Sequence, residues 1–353
     1  MRQISFFDEA NALQRLSQLG DRLEWLNKAI DWSIFVPLLE KVKPDRTQTS
    51  KGGRPPLPAL LMFKVVILQE LYGVANDAAE YLINDRLSWK RFLGLTLADK
   101  APDGTSIWLF REALTKSGVY AELFDLFNSR MEELGVITHK GSIVDASFVD
   151  VPRQRNTRDE NKTIKEGGIP ESWEQEESAS MLSQKDTDAR WAKKNEETHF
   201  GFKDHVLCDV DSKMIVDFRV SAASVHDSQA LLSLLSYLGD DKIRCLWGDS
   251  AYLGKGLAEW IGDFYPEVQL NFCEKGVKGH PLTEAQKGNN REKSRIRARI
   301  EHIFGHMSGS MGGMFIRSIG MERAQCTIAL KNLAYNLSRY TTLVRLGRAS
   351  SMT

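Results

Sequence analysis

Close cysteine pairs, long apolar runs and net charge are all missing from this chain of 353 residues. Its four cysteines, Cys208, Cys245, Cys273 and Cys326, lie far apart in sequence, which excludes a CxxC redox motif or a cysteine zinc knuckle. No apolar run approaches the roughly 20 residues that a membrane-spanning helix needs, and Met1–Glu9 has no apolar core of the signal-peptide kind. The expectation is a cytoplasmic protein with no membrane partner. The 47 basic and 47 acidic side chains cancel, and 42% hydrophobic content is that of an ordinary globular protein. The length allows two domains with a buried core.

What is present is unevenly placed. From Lys275 to the end there are fourteen Lys/Arg against four Glu, so this stretch carries a surplus of ten positive charges that the remainder balances with ten negative ones. Such asymmetry suits a nucleic-acid partner, although a basic run also serves simply as a solvated face.

Residues 1–140 read almost wholly as helix. Leu13, Leu16, Leu19, Leu23 and Leu26 recur at three- and four-residue intervals, as an amphipathic stripe requires. A basic, turn-rich stretch, Lys51 to Pro58, precedes the apolar run Ala59–Tyr72, expected to be a buried helix. Asn76 is placed to cap the next helix, a short one holds Trp89 and Phe92, and Pro102 to Ser106 leads into another through a cap.

From Gly141 the period changes to that of strands. Ser142–Val151, His199–Val210 and Met214–Ser221 read as three strands, the last two joined by a turn at Asp211-Ser212-Lys213. Asp227 is expected to cap an apolar helix over 230–238. Strand 243–249, helix 254–264, strand 268–273 and a long basic helix follow. The order implies an α/β fold: a ribonuclease-H-like mixed-sheet catalytic domain over 141–345, preceded by an all-helical domain over 1–140. Residues 153–197, with 20 charged side chains in 45, read as an exposed insertion, and 276–290 as a loop beside the site.

Three acids stand out. Asp145 and Asp249 each end an apolar strand-like run, where a charge is costly unless it is paired or binds a metal. Glu301 lies on the basic helix four residues after Arg297, on the same face, with Ser294 three residues before Arg297. Carboxylates brought together from separate elements suit Mg2+, with Mn2+ able to substitute, and two such ions are a common device for cutting and joining phosphodiesters. Arg297, Lys293, Arg295 and Lys203 are the candidate DNA contacts. Of the other downstream acids, Glu274 is expected to face the loop, while Glu292 is nine residues from Glu301 and points to the opposite side. His199, His205 and His226 read as structural.

The chain resembles the Insertion Sequence Five family of bacterial DDE transposases. The likeness is carried by Arg54-Pro55-Pro56-Leu57-Pro58, Asp85-Arg86-Leu87-Ser88-Trp89, Pro102-Asp103-Gly104-Thr105, Asp188-Ala189-Arg190-Trp191, Phe200-Gly201-Phe202-Lys203, Val225-His226-Asp227-Ser228, Gly248-Asp249-Ser250-Ala251-Tyr252 and Arg297 to Glu301. This resemblance implies metal binding by Asp145, Asp249 and Glu301. It departs at Ser294, where the family has Tyr, and at Ser308, where it has Lys, leaving Lys293 and Arg317 as candidate substitutes. The expected function is a transposase that binds terminal inverted repeats with its N-terminal helices. It cuts each end and joins the 3′-hydroxyls to target DNA, as a dimer or higher assembly on DNA near the nucleoid. A nuclease that cuts without joining, and a DNA-binding protein that has lost its chemistry, are the competing readings.

Overall fold

A computed structural model describes residues 8–42, 56–174, 179–194, 196–238, 243–252, 256–276 and 279–353. Most of the basic stretch at 51–58 and the start of the helix expected at 254 fall outside them. The chain divides into two compact units, Met1–Leu134 with Leu330–Thr353, and Gly135–Ala329. The segment from Leu330, read from sequence as part of the second domain, therefore belongs with the N-terminal helices.

The first unit holds α1 (Asp8–Gln18), α2 (Arg22–Ala29), a 3-10 turn at Trp32–Phe35, α3 (Val36–Leu39), α4 (Ala59–Tyr72), α5 (Asn76–Asp85), α6 (Leu87–Leu93), α7 (Gly104–Ser117) and α8 (Val119–Glu133). The leucine stripe is not one helix. Gly20 breaks it at a φ of 85°, and Asp21 then caps α2 by accepting from Leu23 N–H. Leu23 and Leu26 are buried, whereas Leu19 is 84% exposed. Helix α4 has apolar side chains all round and so is surrounded by its neighbours, with Met62, Phe63 and Val65 to Leu68 buried. It stops at Gly73, whose φ of 62° suits a residue without Cβ and lets its N–H reach Gln69 O. Asn76 does not cap α5: its side-chain carbonyl accepts from Gln69 Nε2 instead. Asp103 does cap α7, through Ser106 N–H. Trp32, Phe35, Phe63 and Phe92 form the aromatic centre, with Phe35 5.1 Å from Phe63 and Trp32 edge-on to Phe92 at 5.4 Å. Each such buried ring contributes roughly 1.5–3 kcal/mol before entropy is counted.

In the second unit, β1 (Ser142–Asp150) is followed by α9 (Arg158–Lys165), α10 (Glu171–Glu174), α11 (Ala179–Leu182), β2 (Arg190–Lys194), β3 (Glu197–Asp209), β4 (Ile215–Ala222), α12 (Asp227–Leu238), β5 (Cys245–Gly248), α13 (Leu257–Phe264), β6 (Gln269–Phe272) and α14 (Glu284–Gly309), while α15 (Met321–Arg345) starts in this unit and belongs to the first from Leu330 on. The described strands form one mixed sheet in the order β2-β3-β1-β5-β6, with β4 also paired to β3. Strand β3 runs antiparallel to β1, while β5 runs parallel to β1 and β6 parallel to β5.

Two expectations need correction. The insertion at 153–197 is built, not merely exposed: Thr157 and Glu160 make a capping box on α9, Trp173 donates to Glu160, and Ile164 and Trp173 are buried. Its last residues form β2, which the charge of Arg190, Lys193 and Lys194 had concealed. The loop expected over 276–290 ends early, because Thr283 and Gln286 form a capping box that starts α14 at Glu284.

Candidate active site

Register brings the two aspartates together. Ser142 lies opposite Leu246 and Ile143 opposite Trp247 on parallel strands. Two residues further on, Asp145 stands beside Asp249 just past the end of β5, and residues at matching positions of parallel neighbours share a face. Asp145 is mostly buried, and burial pushes its carboxyl above the usual range. The N–H of Ala146, at 2.8 Å, and Arg297 oppose that rise, and the negative charge of Asp249 adds to it. Asp249 itself accepts from Ala251 N–H at 2.7 Å, which folds the chain into a short 3-10 turn, Ser250–Tyr252. Gly248 is crowded: a Cβ there would meet the rings of Phe272 and Tyr252 at 3.0–3.1 Å, so those rings would have to give way to a side chain. Those rings, rather than substrate, are what approach it.

Helix α14 carries the remaining candidates. At about 100° per residue, Lys293, Arg297 and Glu301 fall within about 80° of one another, flanked by the buried side holding Ile300, Ile303 and Met307. Arg297 Nε stands 3.7 Å from Asp145 Oδ2, a loose ion pair with both side chains partly shielded. Lys293 donates to Phe272 O at 2.9 Å and lies 4.0 Å from Glu274, so it ties α14 to the end of β6. Arg295 is exposed on the other side of the helix. Glu301 is exposed, and among the described residues no three His, Cys, Asp or Glu side chains gather into a metal-holding group. The structure thus joins Asp145, Asp249 and Arg297 and leaves Glu301 one turn beyond Arg297. Glu274 does not face a free loop: it accepts from Gln286 Nε2, and its backbone is bound to Asn290.

Lys203 is held by protein. Its ammonium donates to Asp227 Oδ1 at 2.7 Å and to Val225 O at 2.8 Å, and it lies 5.2 Å from the Phe148 ring. By register it faces the same side as Phe148 and His205, the side opposite Asp145. Asp227 therefore opens α12 as an ion-pair partner, while His226 Nδ1 receives Ser228 N–H in the capping position. His205 is buried, bonded to Ser221 Oγ, and burial lowers its imidazole to about 4. His199 stacks on Phe148 with centroids 4.0 Å apart.

Tyr252 was not singled out from sequence. It is 1% exposed, and among the described residues its hydroxyl finds no hydrogen-bond partner. Burial and the nearby Asp145, Asp227 and Asp249 carboxylates push that hydroxyl well above its ordinary value, so it stays protonated. Its signal in the sequence is its position three residues after Asp249, one turn on. Two adjacent carboxylates and an unsatisfied hydroxyl fit a hard divalent cation, which takes oxygen ligands and relieves carboxylate repulsion.

Two family models match the chain. One, described as a transposase domain (DUF772), covers residues 11–113. Among solved structures, the chain resembles the piggyBac transposase in a synaptic complex with hairpin DNA, at 11% identity and a TM-score of 0.46, over 95% of this chain and 77% of that one. The other model, the transposase DDE domain, covers residues 138–337 and with them Asp145, Asp249, Arg297 and Glu301. Because that match spans more than half of the chain, the protein belongs to the DDE transposase family.

Proposed function

We propose that this DNA transposase serves a bacterial insertion sequence of the Insertion Sequence Five kind. It binds the terminal inverted repeats, hydrolyses a strand at each end, and directs the freed 3′-hydroxyls to phosphodiesters of target DNA. The observation that carries the chemistry is the register that sets Asp145 beside Asp249, with Arg297 against Asp145. The sheet order, with β3 antiparallel to β1 and β5 and β6 parallel to it, supports a ribonuclease-H-like catalytic fold.

Asp145 and Asp249 would hold divalent ions, Mg2+ with Mn2+ as substitute, and Glu301 would complete the set. Such ions supply Lewis-acid charge and activate the attacking oxygen. Arg297 balances the carboxylates and meets phosphate, and Tyr252 offers a protonated donor behind them. Arg295, exposed on α14, adds backbone attraction that salt screens. Lys203 acts at one remove, by fixing Asp227 at the start of α12. The helices of residues 1–140 would read the element ends, and two or more copies would join the ends on DNA close to the nucleoid.

The test is strand transfer with labelled element-end DNA in Mg2+. Joined products from wild type, lost in Asp145→Asn and Asp249→Asn while end binding survives, support the reading. Cleavage without joining would make the protein a nuclease instead.

A further inference from the structure

The edge strand β2 carries a feature that the acidic site does not use. Trp191 is 41% exposed, although it packs at 4.8 Å against Phe200, whose other neighbours form a buried cluster with Val149, Phe202 and Ile316. The Arg153 guanidinium lies 5.8 Å from the Trp191 ring, within cation–π range, and is anchored by a bond to Thr198 O at 2.9 Å. Register puts Lys193 and Thr198 on the same face as Trp191 and Phe200, and this is also the face of Asp145. The acids of the strand connection do not cancel that charge. Glu197 stands opposite Lys194 in the strand register, on the other face, with its carboxylate 3.9 Å from His199 Nε2; Asp150 is taken by the Nδ1 of the same ring, and Glu196 lies in the turn. Lysines on an edge strand are a common guard against sheet aggregation, so they alone carry nothing. An exposed indole beside them is what that guard would avoid.

We propose that Trp191, flanked by Arg153 and Lys193, is a stacking platform for an unpaired base of a DNA strand passing through the acidic site. The proposal rests on the transposase reading and adds to it a second contact point. Aromatic rings capture bases through their π faces, which are free only where the strand is unpaired, and adjacent cations follow the backbone. The spacing is set by the sheet. Trp191 lies two strands over from Asp145 and six residues along, which is about 10 Å by 20 Å, or roughly 22 Å in all. At about 3.4 Å per stacked step that is some six nucleotides from the reacting phosphate.

The experiment uses the full chain, wild type against Trp191→Leu and Trp191→Phe, each checked by thermal melting. Binding is measured to fluorescein-labelled single-stranded (dT)20 and to a blunt 20-base-pair duplex. Trp191→Leu keeps apolar bulk over Phe200 and should weaken (dT)20 binding about tenfold or more, with duplex binding changed less than twofold. Trp191→Phe should stay near wild type on both. The proposal is overturned if Trp191→Leu holds (dT)20 as wild type does, or if it loses both probes equally. Failure of the parent reading looks different: wild type would then show no metal-dependent cleavage, whatever Trp191 does to (dT)20.

Discussion

At the scale of single residues, the nearness of Asp145 and Asp249 could be anticipated because a charge that ends an apolar strand run needs a reason. Asp145 and Asp249 prove to be neighbours through strand register, and Arg297 lies against the first. Replacing Glu301 with Gln should lower cleavage and joining by several orders of magnitude with DNA binding kept. Glu292→Gln, about half a turn round the helix, should leave both nearly intact; the reverse pattern in a cleavage assay would move the third acid to another position. Tyr252, Asp227 and the commitment of Lys203 were not legible, because each depends on which face of the sheet a residue occupies and what packs there. His205 offers a separate test. Its folded value of about 4 lies below the ordinary 6.5, so the fold favours the neutral ring. That stability is fully present above about pH 6.5 and is lost as pH falls toward 4. Urea unfolding at pH 7 and pH 4.5 should show wild type losing on the order of 1–3 kcal/mol more than His205→Gln. Equal losses would refute the assignment.

At the scale of elements, the alternation and apolar runs of β1, β3 and β4 were clear, and α4 was found to the residue because its apolar run, broken only by Lys64, Gln69 and Glu70, is bounded by Pro58 and Gly73. Strand β2 was hidden: three of its five residues are basic, and only pairing with β3 makes it a strand. The leucine stripe failed for the opposite reason, since periodicity carries across Gly20 although the backbone does not. Within β3, Gly201 has a φ of 150°, and a Cβ there would come within 2.2 Å of Val149 O. Backbone on backbone cannot yield as a side chain can. Gly201→Ala should therefore destabilise the second unit by about 2 kcal/mol or more, seen as a lower urea midpoint. An unchanged midpoint would show that β1 and β3 can part at this point without loss.

At the scale of the whole molecule, the chain falls into two compact units parted at Leu134, near the change of period at Gly141, while its return to the first unit left no mark in the sequence. Helix α15 begins in one unit and ends in the other, and Leu333, Tyr335, Leu337 and Tyr340 are buried beyond the boundary at Leu330. Tyr340 meets Phe127 edge-on at 6.1 Å, and Asn336 bonds Asn128 within that core. Residues 1–140 alone should thus melt well below a fusion of 1–140 with 330–353, as circular dichroism would record; equal melting would mean that the C-terminal segment adds nothing. The central claim concerns Asp145 and Asp249 as a metal-holding pair for strand transfer. The most direct measurement titrates Mg2+ against joining of labelled element ends to target DNA, for wild type and for Asp145→Asn and Asp249→Asn. The expected result is metal-dependent joined product from wild type, abolished by chelator, and none from either variant at any metal concentration although both still bind the ends. Joining that persists in chelator, or in either variant, would contradict it.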